Sequence, residues 1–280
     1  MKALIYGAGA TGIQVYYSIK NIHEVKGFLD GNPNKKDHYI VDDIICLGGC
    51  EALEDVEWDY IYVGSIFVDD IRNTLIKNGV STEKIIVDIP NDVDSPVRKL
   101  WLEDYSKLFE GHNYSVAEGG VYRGNFAKEI NRCFPNSKLY LFDTFEGFDK
   151  KDMEIEKRTY ENFGLKEGDL SNTSVELVLS KMKYPENVIV KKGYFPDTAS
   201  GIEDEFCFVN IDFDLFMPVY EGIKFFYPKM IKGSVLLIHD YYNIALPGVK
   251  DAVDLYEREF NCKLIKLPIG DDQSIAIVKI

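Results

Sequence analysis

Residues 206 to 243 contain two apolar runs that both stop at ionisable groups, and few folds accommodate that pattern. Cys207 to Ile211 ends at Asp212 and Asp214, and Ser234 to Ile238 ends at His239 and Asp240. Short apolar runs bounded by turn residues mark strands buried on both faces. Between them, Val219 to Met230 places apolar residues at helical spacing, with Gly233 as a stop signal. Strand, helix, strand makes a parallel unit whose carboxyl ends share one sheet edge. Open α/β sheets take their ligands beyond those ends. Strict alternation along a strand would put Asp212 and Asp214 on one face. The predicted class is α/β, with carboxylates and an imidazole converging on one site.

The start of the chain follows the same logic. Lys2 to Tyr6 is a short β-rich run, followed by Gly7-Ala-Gly9-Ala-Thr-Gly12 and a helical pattern from Ile13 to Ile19. Glycines between a strand and a helix let backbone N–H groups approach a pyrophosphate at the helix N-terminus. Val25 to Leu29 is a second strand, ending in Asp30 where a ribose-binding acid would stand. Gly7, Gly9, Gly12 and Asp30 are therefore a candidate nucleotide site, for NAD or a nucleotide-sugar. A glycine turn kept for packing accounts for the motif equally well. Tyr16 and Lys20 have the Y-x-x-x-K spacing of short-chain reductases, but they lie on the helix after the glycine loop, away from any nicotinamide ring.

Strand, helix and strand continue through 59–64, 68–78 and 84–87. The first domain is expected over residues 1–93, a Rossmann-like parallel sheet, with Asn91 to Pro96 as turn-rich linker. Residues 94–111 form a linker helix, with Leu100, Trp101, Tyr105 and Leu108 at helical spacing and Gly111 closing it. The helix is expected to pack between the domains; the other option is that it covers the second site.

A second domain is expected over 112–280. A strand from Tyr114 leads into Glu118-Gly119-Gly120-Val-Tyr-Arg-Gly124 and then a helix, Asn125 to Cys133. An acid at the strand end followed by a glycine bend suits an S-adenosylmethionine site, where a compact turn receives the amino-acid and ribose portions. Lys138 to Phe142 is the next strand and ends in Asp143, positioned to accept from two ribose hydroxyls.

The runs A-E-G-G-V-Y-R-G-N-F, L-F-D-T-F-E-G-F, K-K-G-Y-F-P-D-T, V-N-I-D-F-D-L-F and I-H-D-Y-Y-N, in that order, resemble the macrocin O-methyltransferase (TylF/MycF-like) family. The resemblance covers about residues 112 to 280. It implies a class I, doubly wound methyltransferase that passes a methyl group from S-adenosylmethionine to a sugar hydroxyl with a divalent cation, usually magnesium. It implies that Glu118, Gly119, Gly120 and Gly124 line the methionine end of the cofactor, and that Asp143, Thr144 and Phe145 hold ribose and adenine. Asp212 would be a metal ligand and Asp214 the general base. The family pair after the next strand is usually two aspartates; here it is His239-Asp240. Magnesium prefers oxygen, whereas manganese accepts imidazole. Either the metal is softer, or His239 serves as a rival base while Asp240 ligates. In the first domain, G-F-L-D-G-N-P resembles Rossmann-like domains of polysaccharide-biosynthesis proteins. The expected acceptor is a nucleotide-sugar, a surface polysaccharide or a glycosylated metabolite. Two other readings are an NAD-dependent sugar-modifying oxidoreductase and a non-catalytic nucleotide-sugar-binding protein.

Charge narrows the partners. With 32 basic against 46 acidic residues the net charge is −14. Such a surface repels phosphate backbones and anionic lipids, which argues against nucleic acid and membrane partners. Five cysteines without regular spacing fit reduced thiols, and the expected location is the cytoplasm. A homo-oligomer is compatible with the sequence. Lys150 to Asn172 is charged and weakly periodic, as in a lid or a surface insertion. Gly193 to Thr198 would shape the acceptor pocket, and Cys262 to Leu267 with Ser274 to Val278 would form an edge hairpin.

Overall fold

Alternate side chains of the first strand sort onto two different cores, which is what a sheet covered on both faces requires. A computed structural model describes residues 1–20, 22–65, 67–87, 96–160 and 164–280; Ala10 and Pro96 are described without their side chains. The expected linker therefore lies outside the described residues, apart from the backbone of Pro96. The chain divides into two compact units, Met1–Val93 and Asp94–Ile280.

The first unit runs β1 (Lys2–Tyr6), α1 (Ala10–Ile19), β2 (Glu24–Leu29), β3 (Tyr39–Val41), β4 (Ile44–Ile45), β5 (Tyr60–Val63), α2 (Val68–Lys77) and β6 (Ile85–Ile86). Four strands make a parallel sheet in the order β2-β1-β5-β6, and β3 pairs with β4 separately. Ala3 and Ile5 of β1 pack with Val15 and Ile19 of α1, while Leu4 and Tyr6 pack on the other face with Leu75 of α2.

The second unit runs α3 (Pro96–Ser106), β7 (Ser115–Gly119), α4 (Asn125–Cys133), β8 (Leu139–Asp143), α5 (Lys150–Thr159), α6 (Val175–Ser180), β9 (Val188–Lys192), β10 (Phe206–Ile211), α7 (Phe216–Phe226), β11 (Met230–Ile238), α8 (Pro247–Glu259), β12 (Ile265–Pro268) and β13 (Ile275–Val278). Its seven-stranded sheet has the order β12-β13-β11-β10-β7-β8-β9. Neighbours are parallel from β11 to β9, and β13 is antiparallel to both β11 and β12. This is the doubly wound sheet with a terminal edge hairpin that the sequence predicts. The chain winds outward from β7 through β8 to β9, then returns to β10 on the other side. The crevice at that reversal is where such sheets bind ligands. The rings of Phe206 and Phe142 meet Phe226 edge-on at 5.3 and 5.6 Å and clamp α7 onto β10 and β8.

Two details differ from the sequence reading. The expected stop at Gly233 is not where the helix ends: α7 closes at Phe226, just before Tyr227-Pro228, and Gly233 lies inside β11 with φ +81°. A register shift falls opposite it, between Phe206 and Phe208. The Tyr105 hydroxyl repairs the disturbed ladder, donating to the Cys207 carbonyl at 2.7 Å and accepting from the Val235 N–H at 2.9 Å. Tyr105 belongs to α3, so this helix is tied to the sheet of the second unit. The stretch expected to be a lid contains α5, N-capped by Asp149 and burying Asp152, Met153 and Glu156. Residues 161–163 of that stretch lie outside the described residues. No helix among the described residues is long and apolar enough to cross a membrane.

Candidate active site

The carboxyl ends of β7, β8, β10 and β11 converge, and each leads into a turn with a non-glycine residue at positive φ: Tyr122 (47°), Phe145 (55°), Asp214 (64°) and Asp240 (55°). Residues held in this sparsely populated region cluster at functional sites, because only strong surroundings keep them there.

The turn after β7 is shaped by contact with the loop after β10. A side chain on Gly120, at φ +81°, would come 1.9 Å from the Asp212 carbonyl oxygen, and one on Gly119 would come 2.4 Å from the Phe213 ring. Both glycines therefore face the acidic loop. At Gly124 a side chain would meet Val178 at 2.8 Å, so that glycine serves the packing of α4 against α6. Asp143 accepts from the N–H groups of Val121 and Tyr122 at 2.7 and 2.8 Å and from Phe145 at 2.7 Å. Burial pushes its carboxyl up, against the pull of those three N–H groups. Asp143 thus fixes the turn after β7, and its oxygens are already engaged with backbone. The Thr144 hydroxyl turns back to the Gly147 carbonyl.

Glu118 is buried, and its Oε1 accepts from Asn210 Nδ2 at 2.9 Å across the β7–β10 pair. Asn210 Oδ1 accepts from Arg98 Nη2 at 2.8 Å, and the same nitrogen donates to Asp212 Oδ2 at 3.1 Å. The Arg98 guanidinium lies over the Phe126 ring at 3.8 Å. A buried arginine on α3 therefore anchors the first acid of the cluster. Neither Arg98 nor Asn210 was among the residues expected from sequence. Asn210 was within reach of that reading, being a polar residue inside an apolar strand. Arg98 was not, because nothing in P-V-R-K-L sets it apart from a surface arginine.

Asp212, His239 and Asp240 are half-buried and bring ligand atoms within 4.8 Å of one another. His239 Nε2 lies 4.0 Å from Asp240 Oδ2, and its Nδ1 is 3.0 Å from Ser274 Oγ. Asn243 Nδ2 donates to Asp240 Oδ1 at 2.9 Å. Asp214 completes the cluster by a different route from the one expected. Strand β10 ends at Ile211, so alternation does not reach Asp214; the left-handed turn brings its carboxyl to Asp240 instead. Burial, then the charges of Asp240 and Asp212, hold the Asp214 carboxyl well above the usual carboxylate range. One imidazole and two carboxylates within reach of one ion make a donor set suited to a divalent cation that tolerates nitrogen.

The sequence profile of the family described as Macrocin-O-methyltransferase (TylF) matches residues 109–272. The chain belongs to the macrocin O-methyltransferase family. As a member it is an S-adenosylmethionine-dependent O-methyltransferase. A second profile, described as C2185-like, N-terminal, matches residues 1–86. Among solved structures, the chain is similar to the O-methyltransferase NovP at 19% identity and TM-score 0.54, covering 67% of this chain and 81% of that one. It is likewise similar to CalS11, described as a calicheamicin methyltransferase, at 15% identity and TM-score 0.53, covering 75% of this chain and 91% of that one. These two share the fold. No curated protein matches.

In the first unit, Gly7 and Gly12 are packing positions. A side chain on Gly7 would come 2.2 Å from the Gly64 carbonyl oxygen, and one on Gly12 would come 1.7 Å from that of Gly7. Gly9 faces open space. Asp30 Oδ2 accepts from Ala8 N–H at 2.9 Å and Lys35 Nζ at 2.8 Å, and its Oδ1 accepts from Asn32 N–H. The Tyr16 hydroxyl donates to Asp42.

Proposed function

We propose that this methyltransferase methylates a hydroxyl of a sugar, carried as a nucleotide-sugar or within a surface polysaccharide or glycosylated metabolite, with the help of a divalent cation. The observation carrying this reading is the convergence of Asp212, His239 and Asp240 within 4.8 Å, beside a carboxyl whose proton affinity is raised. Support for a sugar acceptor comes from the resemblance to a family that methylates sugar hydroxyls.

Asp212, His239 and Asp240 would hold the cation, which supplies positive charge that makes a nearby hydroxyl easier to deprotonate. The turn at Gly119 and Gly120, ordered by Asp143, would hold S-adenosylmethionine, which supplies an electrophilic methyl group. The same positive charge would offset the charges of Asp240 and Asp212 that hold the Asp214 carboxyl up, leaving Asp214 ionised to accept the hydroxyl proton as the oxygen becomes a nucleophile. Arg98 and Asn243 keep the carboxylates of Asp212 and Asp240 from swinging away. Orientation of this kind contributes directly to rate.

The test is transfer of label from S-adenosylmethionine to a panel of nucleotide-sugars, with chelator, magnesium or manganese. Label in the sugar that disappears with chelator and returns with metal is expected. Equal transfer in the presence of chelator would remove the cation from the reading, and no transfer to any member of the panel would remove nucleotide-sugars as the acceptor.

For the first unit we propose nucleotide or nucleotide-sugar binding at the start of α1, favoured by the open space at Gly9. A rise in melting temperature with NAD or UDP-sugars is expected. If none stabilises the protein, the glycines of this turn serve packing alone.

A further inference from the structure

His239 does not stand alone behind the acid cluster. Its Nδ1 is 3.0 Å from Ser274 Oγ, and Ser274 Oγ is 2.6 Å from Asp271 Oδ2. Ser274 is buried immediately before β13, and Asp271 lies in the β12–β13 turn. Asp271 Oδ1 also accepts the backbone N–H of Ser274 at 2.7 Å and of Gln273 at 3.2 Å.

Proton counting decides the roles. A carboxylate only accepts, so the single hydroxyl proton of Ser274 goes to Asp271. The hydroxyl oxygen then has only lone pairs left for the imidazole, and Nδ1 must carry the hydrogen that joins them. In a neutral ring this leaves Nε2 without a proton. Nε2 is the nitrogen 4.0 Å from Asp240 Oδ2. We propose that Ser274 and Asp271 are positioning residues that fix His239 in its Nδ1–H form and present a bare Nε2 to Asp212 and Asp240. The use of that nitrogen as a metal donor rests on the cation reading above; the positioning itself does not. Partners of this kind behind a ligating histidine typically change metal affinity about 10–100-fold when removed.

The chain has 4 histidines, so nitrogen NMR of the full-length, metal-free protein labelled at histidine resolves them, with His239→Gln giving the assignment. Spectra at pH ~8.5 keep ordinary imidazoles neutral. The expected result is a protonated Nδ1 and an unprotonated Nε2 for His239, shifting toward a mixture in Ser274→Ala. Asp271→Asn is expected to shift the same way, because an amide can donate to Ser274 and free the hydroxyl proton for Nδ1. A proton on Nε2 in the unmodified protein overturns the proposal, as does an unmoved tautomer in both folded variants. Manganese titrated into the same samples examines the donor role separately. Broadening of the His239 signals, with affinity about tenfold or more weaker in the variants, supports both readings. If the tautomer behaves as expected but manganese leaves His239 untouched, the positioning stands and the cation reading falls.

Discussion

Arg98 Nη2 lies 3.1 Å from Asp212 Oδ2, so a helix that precedes the sheet holds the first acid of the cluster. Arg98 is fully buried, and 20% of the Asp212 side chain is exposed. Replacing the guanidinium with an apolar chain strands a half-buried carboxylate and leaves Asn210 Oδ1 without this donor. Arg98→Met should destabilise the second unit by about 3 kcal/mol, toward the lower end for a broken buried pair because water reaches Asp212. Urea unfolding checks this. A variant as stable as the parent would mean that Asp212 does not depend on this partner.

Gly120 offers a sharper test of the proposed role of the turn after β7. Its φ of +81° disfavours any other residue, and a methyl group would sit 1.9 Å from the Asp212 carbonyl oxygen. Both objections concern backbone, which cannot rotate aside. Gly120→Ala should displace the acidic loop and lower kcat/KM by about 10²-fold, as a shift near 1 Å does at a reacting centre. Calorimetry with S-adenosylmethionine would separate lost cofactor binding from lost catalysis.

Asp214 is assigned the proton-accepting role, so Asp214→Asn should lower kcat by about 10²–10⁴-fold while leaving S-adenosylmethionine affinity nearly unchanged. Asparagine keeps the shape of the turn and the hydrogen-bonding capacity toward Asp240. Turnover close to the parent rate would move the base to His239.

Glu156 carries a pH signature in stability. It accepts the Phe216 N–H at the start of α7, and burial pushes its carboxyl from 4.5 up to about 7. In that interval the native state keeps a proton that the unfolded chain has lost. The contribution to stability is therefore full below about 4.5 and declines as pH rises through about 7. Glu156→Gln should flatten this part of the melting-temperature profile. A parallel profile in the variant would assign the slope to other groups.

Most of the frame was legible from the chain. The runs at β7, β8, β10 and β11 announced strands because a parallel sheet buries both faces, and the acids at their ends share one sheet edge. Asp214 lies beside Asp240 without the alternation expected of it, since the strand ends at Ile211 and a left-handed turn takes over. Gly233 looked like a helix stop because a glycine has the same letter whether it ends a helix or relieves a strand. Tyr105 and Arg98 were hidden for a different reason. Their roles depend on partners more than a hundred positions away, and no local pattern encodes that distance. Asp143 showed that an acid at a strand end can be spent on its own turn before a ligand arrives.

The ring of Phe213 occupies the space that a methyl on Gly119 would need, with only 2.4 Å between them. The two stretches are thus cut to each other like a tenon and its slot. Anyone moving the E-G-G segment into a related scaffold must transfer D-F-D with it, since either alone would leave a gap or a collision between the two loops. Variation at these two positions should accordingly be concerted, with a smaller residue at 213 wherever 119 is not glycine.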